Sequence, residues 1–211
     1  MKLSPLVIVA LSIFLAWDIA LAEDWIIVPG VRVGSITKKT GEPELKKIYG
    51  EQQVVAGTIE DGEGGIISGT TLFPENAEKT LFILWTDQTH EHVSEVHMSK
   101  SGTIWKTNNG ITIGTPIKVI ERKNGGPLNM AGFGSDVGGT IYDGNGGSLK
   151  ELGVQTDHGL EGRTLVLRVS PSAEAKNSPE YDSVIGGDWK SDHPAIQKLN
   201  PSVSEIIVSF E

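Results

Sequence analysis

The densest run of residues able to do chemistry is Asp87-Gln88-Thr89-His90-Glu91-His92-Val93-Ser94-Glu95-Val96-His97. It holds three of the chain's five histidines. On a strand, Cβ direction repeats every second residue, so His90 and His92 share a face and His97 falls on the other. With Asp87 or Glu95 they make a set of imidazole and carboxylate donors suited to Zn²⁺ or Cu²⁺. Asp87, His90 and His92 are therefore the candidate metal ligands. The segment Gln88 to Glu91 also reads as a turn between two strands, and the whole run is then an exposed polar hairpin.

Other chemistry is thinner. Two pentamers, Asp61-Gly-Glu-Gly-Gly65 and Asp143-Gly-Asn-Gly-Gly147, offer oxygen donors at alternate positions. The twelfth position from Asp143 is Val154 and not a bidentate Glu, which excludes an EF-hand and favours tight turns. Gly132-Phe133-Gly134-Ser135-Asp136 is not Gly-x-Ser-x-Gly, and no helix-forming run follows it. His158 beside Asp157 and His193 beside Asp192 each offer half of a serine dyad, the basis of a hydrolase reading. Paired carboxylates for sugar hydrolysis do not stand out among the scattered acids. Of the tryptophans, Trp25, Trp85 and Trp105 lie in or beside strand-like runs and read as core. Trp189, in Gly186-Gly187-Asp188-Trp189-Lys190, is the candidate partner-contact residue.

The elements that must position these residues are mostly strands. Trp25 to Val28, Gln52 to Ile59, Leu81 to Thr86, Val93 to Met98, Thr164 to Val169 and Val203 to Phe210 are rich in Val, Ile, Thr and aromatics. Each is bounded by Gly, Pro, Asn or Asp. Pro43 to Tyr49 reads as a helix starting at proline and stopping at Gly50. Pro116 to Lys123 reads the same way, with Thr115 as cap and Gly125 as stop. Pro194 to Leu199 is a third short helix, with Asp192 as cap and Pro201 beyond it. Ala173 to Pro179 is the best candidate for a mobile loop. The expected fold class is α+β: an antiparallel-rich sheet with two or three short helices on one face.

An internal repeat organises the chain. Gly30-Val-Arg-Val-Gly34 and Gly110-Ile-Thr-Ile-Gly114 each lead into a helical run that ends on a glycine, Gly50 or Gly125. Neither copy continues into Gly-Lys-Ser/Thr or a third glycine, so neither is a phosphate cradle, and no cofactor is expected. The expectation is internal pseudo-duplication, over about 30–105 and 110–170, with a C-terminal strand over about 203–210.

Residues 1–22 read as a signal peptide. Lys2 precedes an apolar run from Leu6 to Trp17, and Ala20-Leu21-Ala22 is a small-x-small cleavage site. Residues 23–211 then form a single periplasmic or extracellular domain, with no integral membrane association after cleavage. The chain has no cysteine, so no disulfide supports it, and its stability rests on its core. The net charge of −9 repels phosphate backbones and argues against a nucleic-acid partner.

Asn124 to Gly139, preceded by Gly110-Ile-Thr-Ile-Gly-Thr115, resembles a set of uncharacterised secreted bacterial proteins. The likeness extends to Val33 to Thr37, Tyr49-Gly50, Gly69 to Pro74, Ile83 to Asp87 and Trp105. Ser135 and Val137 stand where that pattern has Trp and Tyr, which removes two rings from the glycine-rich loop. More remotely, the repeated glycine–helix–glycine units resemble those of tandem-repeat β-lactamase inhibitor proteins and of the small lipoprotein of outer-membrane protein assembly. That resemblance implies a binding protein and not an enzyme. The expected function is a non-enzymatic binding or envelope-associated protein whose partner is a protein or a cell-surface glycan. The alternatives are a divalent-metal-binding periplasmic protein and, third, a hydrolase.

Overall fold

A computed structural model describes residues 24–60, 65–156 and 159–210. The segment read as a signal peptide, most of the first glycine-rich pentamer, and Asp157 with His158 lie outside the described residues. The chain opens with β1 (Ile26–Val28) and β2 (Arg32–Val33), then α1 (Glu42–Tyr49). Four strands follow: β3 (Val54–Glu60), β4 (Ile66–Leu72), β5 (Leu81–Trp85) and β6 (Val93–Met98). The second half begins with β7 (Lys106–Thr107) and α2 (Ile117–Asn124). It continues through β8 (Asn129–Ala131), β9 (Thr140–Asp143), β10 (Leu152–Thr156), β11 (Gly159–Arg163) and β12 (Leu165–Ser170). Last come α3 (Pro179–Asp182), β13 (Asp188–Lys190), α4 (Pro194–Leu199) and β14 (Ser202–Ser209).

The principal sheet has nine strands in the order β13-β8-β9-β12-β14-β6-β5-β4-β3, every pair antiparallel. The last strand of the chain, β14, is inserted between β12 of the second half and β6 of the first. Its alternation assigns the two faces: Ile206 and Val208 enter the core, while Glu205, Ile207 and Ser209 point the other way. The helices supply the opposing core surface. Leu45 comes from α1, Ile117 and Ile120 from α2, and Ile196 and Leu199 from α4. Each of these helices has proline within one residue of its start and lysine in its last turn, as the macrodipole favours for lysine.

The fold is therefore sheet-rich α+β, as the strand runs imply. The helix count is higher than expected: the described residues contain four α-helices. The additional one, α3, adjoins the segment read as a loop. Ser178 caps it by accepting a hydrogen bond from Tyr181 N (3.3 Å), and Tyr181 stacks on Phe133 at 5.6 Å. Four residues are too few to show a 3.6-residue period, so only this cap and ring contact mark it. Two caps also differ from expectation. Thr115 accepts from Thr112 N instead of capping α2, and His193, not Asp192, precedes α4.

The two Gly-x-x-x-Gly segments lie next to each other. Their leading strands pair in parallel, Ile26 with Lys106 and Ile27 with Thr107. Each then turns tightly at its first glycine: Val31 N donates to Val28 O (3.0 Å), and Gly110 N to Thr107 O (2.8 Å). Gly30 and Gly110 both hold positive φ, 71° and 80°, which an L side chain adopts only at a cost. Beyond the second glycine the segments diverge. The first needs residues 35–41 to reach α1, whereas the second enters α2 almost at once.

Candidate functional site

The sequence-derived metal ligands are placed apart in role. Asp87 is exposed and accepts from Thr89 N (2.7 Å) and Thr89 Oγ1 (2.5 Å). Those hydrogen bonds hold its carboxyl below the usual carboxylate range. His92 is exposed, and its carbonyl accepts from Thr86 N (3.0 Å). His90 turns away from both. It stacks on Trp85 at 5.0 Å with 10° between the planes, and its Nδ1 meets Glu42 Oε2 at 2.5 Å. Glu42 N donates to His90 O (2.9 Å), Glu42 Oε1 pairs with Lys46 Nζ (2.6 Å), and Trp85 Nε1 donates to Thr70 Oγ1 (2.9 Å). This is a clamp that ties the start of α1 to the turn between β5 and β6. The structure does not bring Asp87, His90 and His92 together as a ligand set. No group of three or more His, Cys, Asp or Glu able to hold a metal occurs among the described residues.

Trp189 lies in the short edge strand β13, half-buried against the core. Its Nε1 donates to Gly186 O (2.8 Å), and its ring leans on His193 at 4.6 Å. Ser191, two residues before His193, donates to Glu121 Oε1 (2.6 Å) and accepts from Leu128 N (2.9 Å). Its hydroxyl is fully buried and committed, so no Ser–His dyad forms there. Asp143 and Asn145 form a turn that Asn124, the last residue of α2, holds from inside. Asn124 Nδ2 donates to Gly144 O (2.8 Å), and its Oδ1 accepts from Leu149 N (3.1 Å).

The notable cluster lies instead on the face of the sheet turned away from the helices. Directly opposed residues share a face, so the pairing register maps this surface. One row runs Thr71–Phe82–His97–Ile207–Val166 across β4, β5, β6, β14 and β12. Beside it run Leu84–Glu95–Ser209 and Glu205–Arg168–Thr140. His97 is 13 % exposed and stands between two carboxylates. Its Nε2 meets Glu95 Oε2 at 2.8 Å, a hydrogen bond. Its Nδ1 faces Glu205 Oε1 at 3.8 Å, an ion-pair distance too long for a hydrogen bond. Arg168 Nη1 binds the other oxygen of Glu205 (3.0 Å), and Ser209 donates to Glu95 (3.3 Å).

The electrostatics follow from this geometry. Burial pushes the His97 imidazole down, but Glu205 and Glu95 together outweigh it and raise its pKa to about 9. The hydrogen bond from His97 holds Glu95 below the usual carboxylate range against burial. Burial pushes Glu205 up, and His97 and Arg168 overcome that and lower it. At neutral pH the cluster holds two cations and two anions, all mutually paired. An imidazolium in this setting has no lone pair with which to accept a proton, so His97 is not a general base near pH 7.

Two clefts flank this ridge. One, of about 480 Å³, is lined by Ile59, Thr71, Phe82, His97, Lys100 and Glu205. The other, of about 330 Å³, is lined by Glu95, Tyr142, Arg163, Val166, Arg168 and Ile207. Burial raises the Tyr142 phenol, with Asp188 and Asp143 adding to the shift. The chain matches no family model, no curated protein and no solved structure. Among the described residues no helix is long and apolar enough to cross a membrane.

Sequence reasoning assigned no role to Arg168 or Glu205 and set His97 aside. A signal for part of the cluster exists: Glu95 and His97 are two apart on the strand expected over Val93 to Met98 and so share a face. Arg168 and Glu205 carry no such signal, because only the insertion of β14 beside β6 and β12 brings them in.

Proposed function

We propose that this chain is a secreted, periplasmic or extracellular binding protein without enzymatic activity. It meets a protein partner on the open face of the sheet. The observation that carries this reading is the charge-balanced ridge of Glu95, His97, Arg168 and Glu205 between two clefts. Paired charges of this kind fix orientation and exclude wrong partners more than they add affinity. Beside the ridge, half-buried Ile207 supplies apolar surface that a partner can cover, over buried Phe82 and Val166. A protein is favoured over a cell-surface glycan because the tryptophans are committed elsewhere: Trp25, Trp85 and Trp105 to the core region and Trp189 to its own loop. The open face therefore lacks an indole platform for sugar stacking.

The secreted location rests on the signal peptide at residues 1–22. The binding role agrees with the resemblance to secreted bacterial proteins and to tandem-repeat inhibitor proteins. The pseudo-duplication belongs to the same reading. The adjacent, parallel leading strands and the matched turns at Gly30 and Gly110 support an origin from two strand–turn–helix units.

The test is site-specific photo-crosslinking in the secreting cell. A photoreactive residue at Tyr142, on the open face, is expected to capture a discrete protein adduct. The same residue at Arg122, exposed on α2, is expected to capture none. Equal capture from both positions, or from Arg122 alone, would remove the open face as the binding surface.

A further inference from the structure

The two edges of the nine-stranded sheet differ in kind. At one, β13 is three residues long and shows Asp188 and Lys190 to solvent, the short charged edge that resists further pairing. At the other, β3 runs seven residues and pairs only with β4, in unbroken register. It contains no Lys, Arg or Pro, and its single charge is Glu60 at the end. The ladder fixes which backbone groups point outward. Phe73 N donates to Gln53 O (2.8 Å), so the odd-numbered residues of β3 bond to β4. The N–H and C=O groups of Ala56, Thr58 and Glu60 then face away from the sheet. All three residues are exposed, and among the described residues none of their backbone groups bonds outside the β3–β4 ladder.

The far half of this hairpin is an arm. Strand β5 pairs with β4 only over Thr70–Leu72, so residues 57–60 and 66–69 continue as a two-stranded ribbon. Gly57 and Gly69 are opposed where the arm leaves the sheet, because there is no room there for a side chain. A Cβ on Gly57 would lie 2.1 Å from Thr71 Oγ1, and one on Gly69 would lie 2.3 Å from Ile83 O. The arm carries Ile59 opposite Ile67 on one face and Ile66, 72 % exposed, on the other. An isolated two-stranded ribbon is marginal in water, and a third strand would complete it.

We infer that the third strand is β3 of a second copy, antiparallel about a twofold axis at Gly57. The register is self-complementary. Ala56 lies opposite Thr58 of the second copy, which matches outward-facing backbone with outward-facing backbone; at each end Val54, whose N–H donates to Glu51 O, lies opposite Glu60 and offers only its carbonyl. Between them Val55 lies opposite Ile59 in a non-hydrogen-bonded pair, where side chains approach most closely. No like charges face each other, since each Glu60 meets a valine. A slip of one residue sets outward groups against inward ones, and a slip of two sets Val55 or Ile59 against Gly57. The twofold axis stands perpendicular to the sheet, so both open faces lie on the same side and join. The net charge of −9 on each copy opposes association, so the dimer strengthens as salt screens it.

Sedimentation velocity on the mature protein is expected to show a monomer–dimer equilibrium that shifts toward dimer with added salt. Thr58→Pro removes an outward N–H at an edge position where proline is tolerated. It is expected to keep the circular dichroism spectrum and be monomeric; Ala56→Lys serves the same purpose should the proline variant fail to fold. The chain has no cysteine, so a pair of single variants reads the register. Oxidised mixtures of Val55→Cys and Ile59→Cys are expected to give a disulfide-linked dimer, and either variant alone is not. A strictly monomeric protein at millimolar concentration and high salt overturns the inference. So does a folded Thr58→Pro dimer, or Val55→Cys linking to itself as readily as to Ile59→Cys.

Discussion

Two histidine–glutamate clusters among the described residues do different work. In the first, His90 and Glu42 join an exposed turn to the start of α1, with Trp85 stacked behind the imidazole. In the second, His97 sits on the central strands between Glu95 and Glu205, with Arg168 completing the charge balance. The first joins a turn to a helix start 48 residues away in sequence, and its His90 side chain is 36 % exposed. The second is assembled from three strands, and its His97 side chain is mostly buried. The same pair of side chains makes a clamp in one place and an ionised surface ridge in the other. Burial and the number of carboxylates decide which.

The sharpest way to break this comparison is to remove His97. His97→Leu leaves Glu95 and Glu205 partly buried with one cation fewer, and it is expected to cost about 3 kcal/mol by urea denaturation. A loss no larger than that of an exposed surface substitution would mean that the ridge contributes little.

The pH dependence sharpens it further. His97 is raised from an ordinary value near 6.5 to about 9 in the folded state. Its stabilisation is therefore full below pH 6.5 and is lost as pH rises through 9, by up to about 3 kcal/mol. Glu95 and Glu205 are lowered, so their share is full above their ordinary value of 4.5 and is lost as pH falls through their folded values. Stability is expected to be greatest between about pH 4.5 and 6.5. His97→Gln should abolish the alkaline slope and also weaken the acid limb, because His97 helps to lower Glu95 and Glu205; urea titrations across pH measure both.

The clamp should matter less. His90→Ala removes one hydrogen bond to Glu42 and one stacked ring at a half-exposed position, with an expected loss of about 1 kcal/mol. Hydrogen exchange should quicken at the Glu42 amide, which is bonded to His90 O, and not at the amides of β14. The smallest effect is expected from metal. Added zinc should leave the melting temperature unchanged, because Asp87, His90 and His92 are not gathered. A rise of several degrees would restore the metal reading and end the description of His90 as a clamp.

Much of the frame was legible before the structure. The helices at 42–49, 117–124 and 194–199 follow from proline starts and a glycine or proline stop, the last of them closed in the structure by Asn200. Strands β5, β6, β12 and β14 follow from β-branched and apolar runs. Strand β4 was not legible, because its centre is Ser68-Gly69-Thr70-Thr71 and reads as a turn. Strands β8 and β9 are three and four residues long and flank a glycine-rich loop, too short for a period of two to register. The sequence singled out Asp87, His90 and His92, which the structure does not gather into a group of three donors. His90 and His92 are close in sequence, yet a turn at positive φ for His90 turns them apart.

By itself the sequence determined the absence of disulfides, the acidic charge, the sheet-rich α+β class and the paired glycine turns. These depend on composition and on spacings within a dozen residues. Only the tertiary structure decided that the last strand lies between the two halves, that His97 meets a carboxylate from each side, and that β3 is an unprotected edge. The reason is physical. Which strands become neighbours depends on how apolar faces from distant segments are buried together, and the strand rows carry no mark of their eventual partners. The charge on His97 is a property of that neighbourhood and not of the histidine.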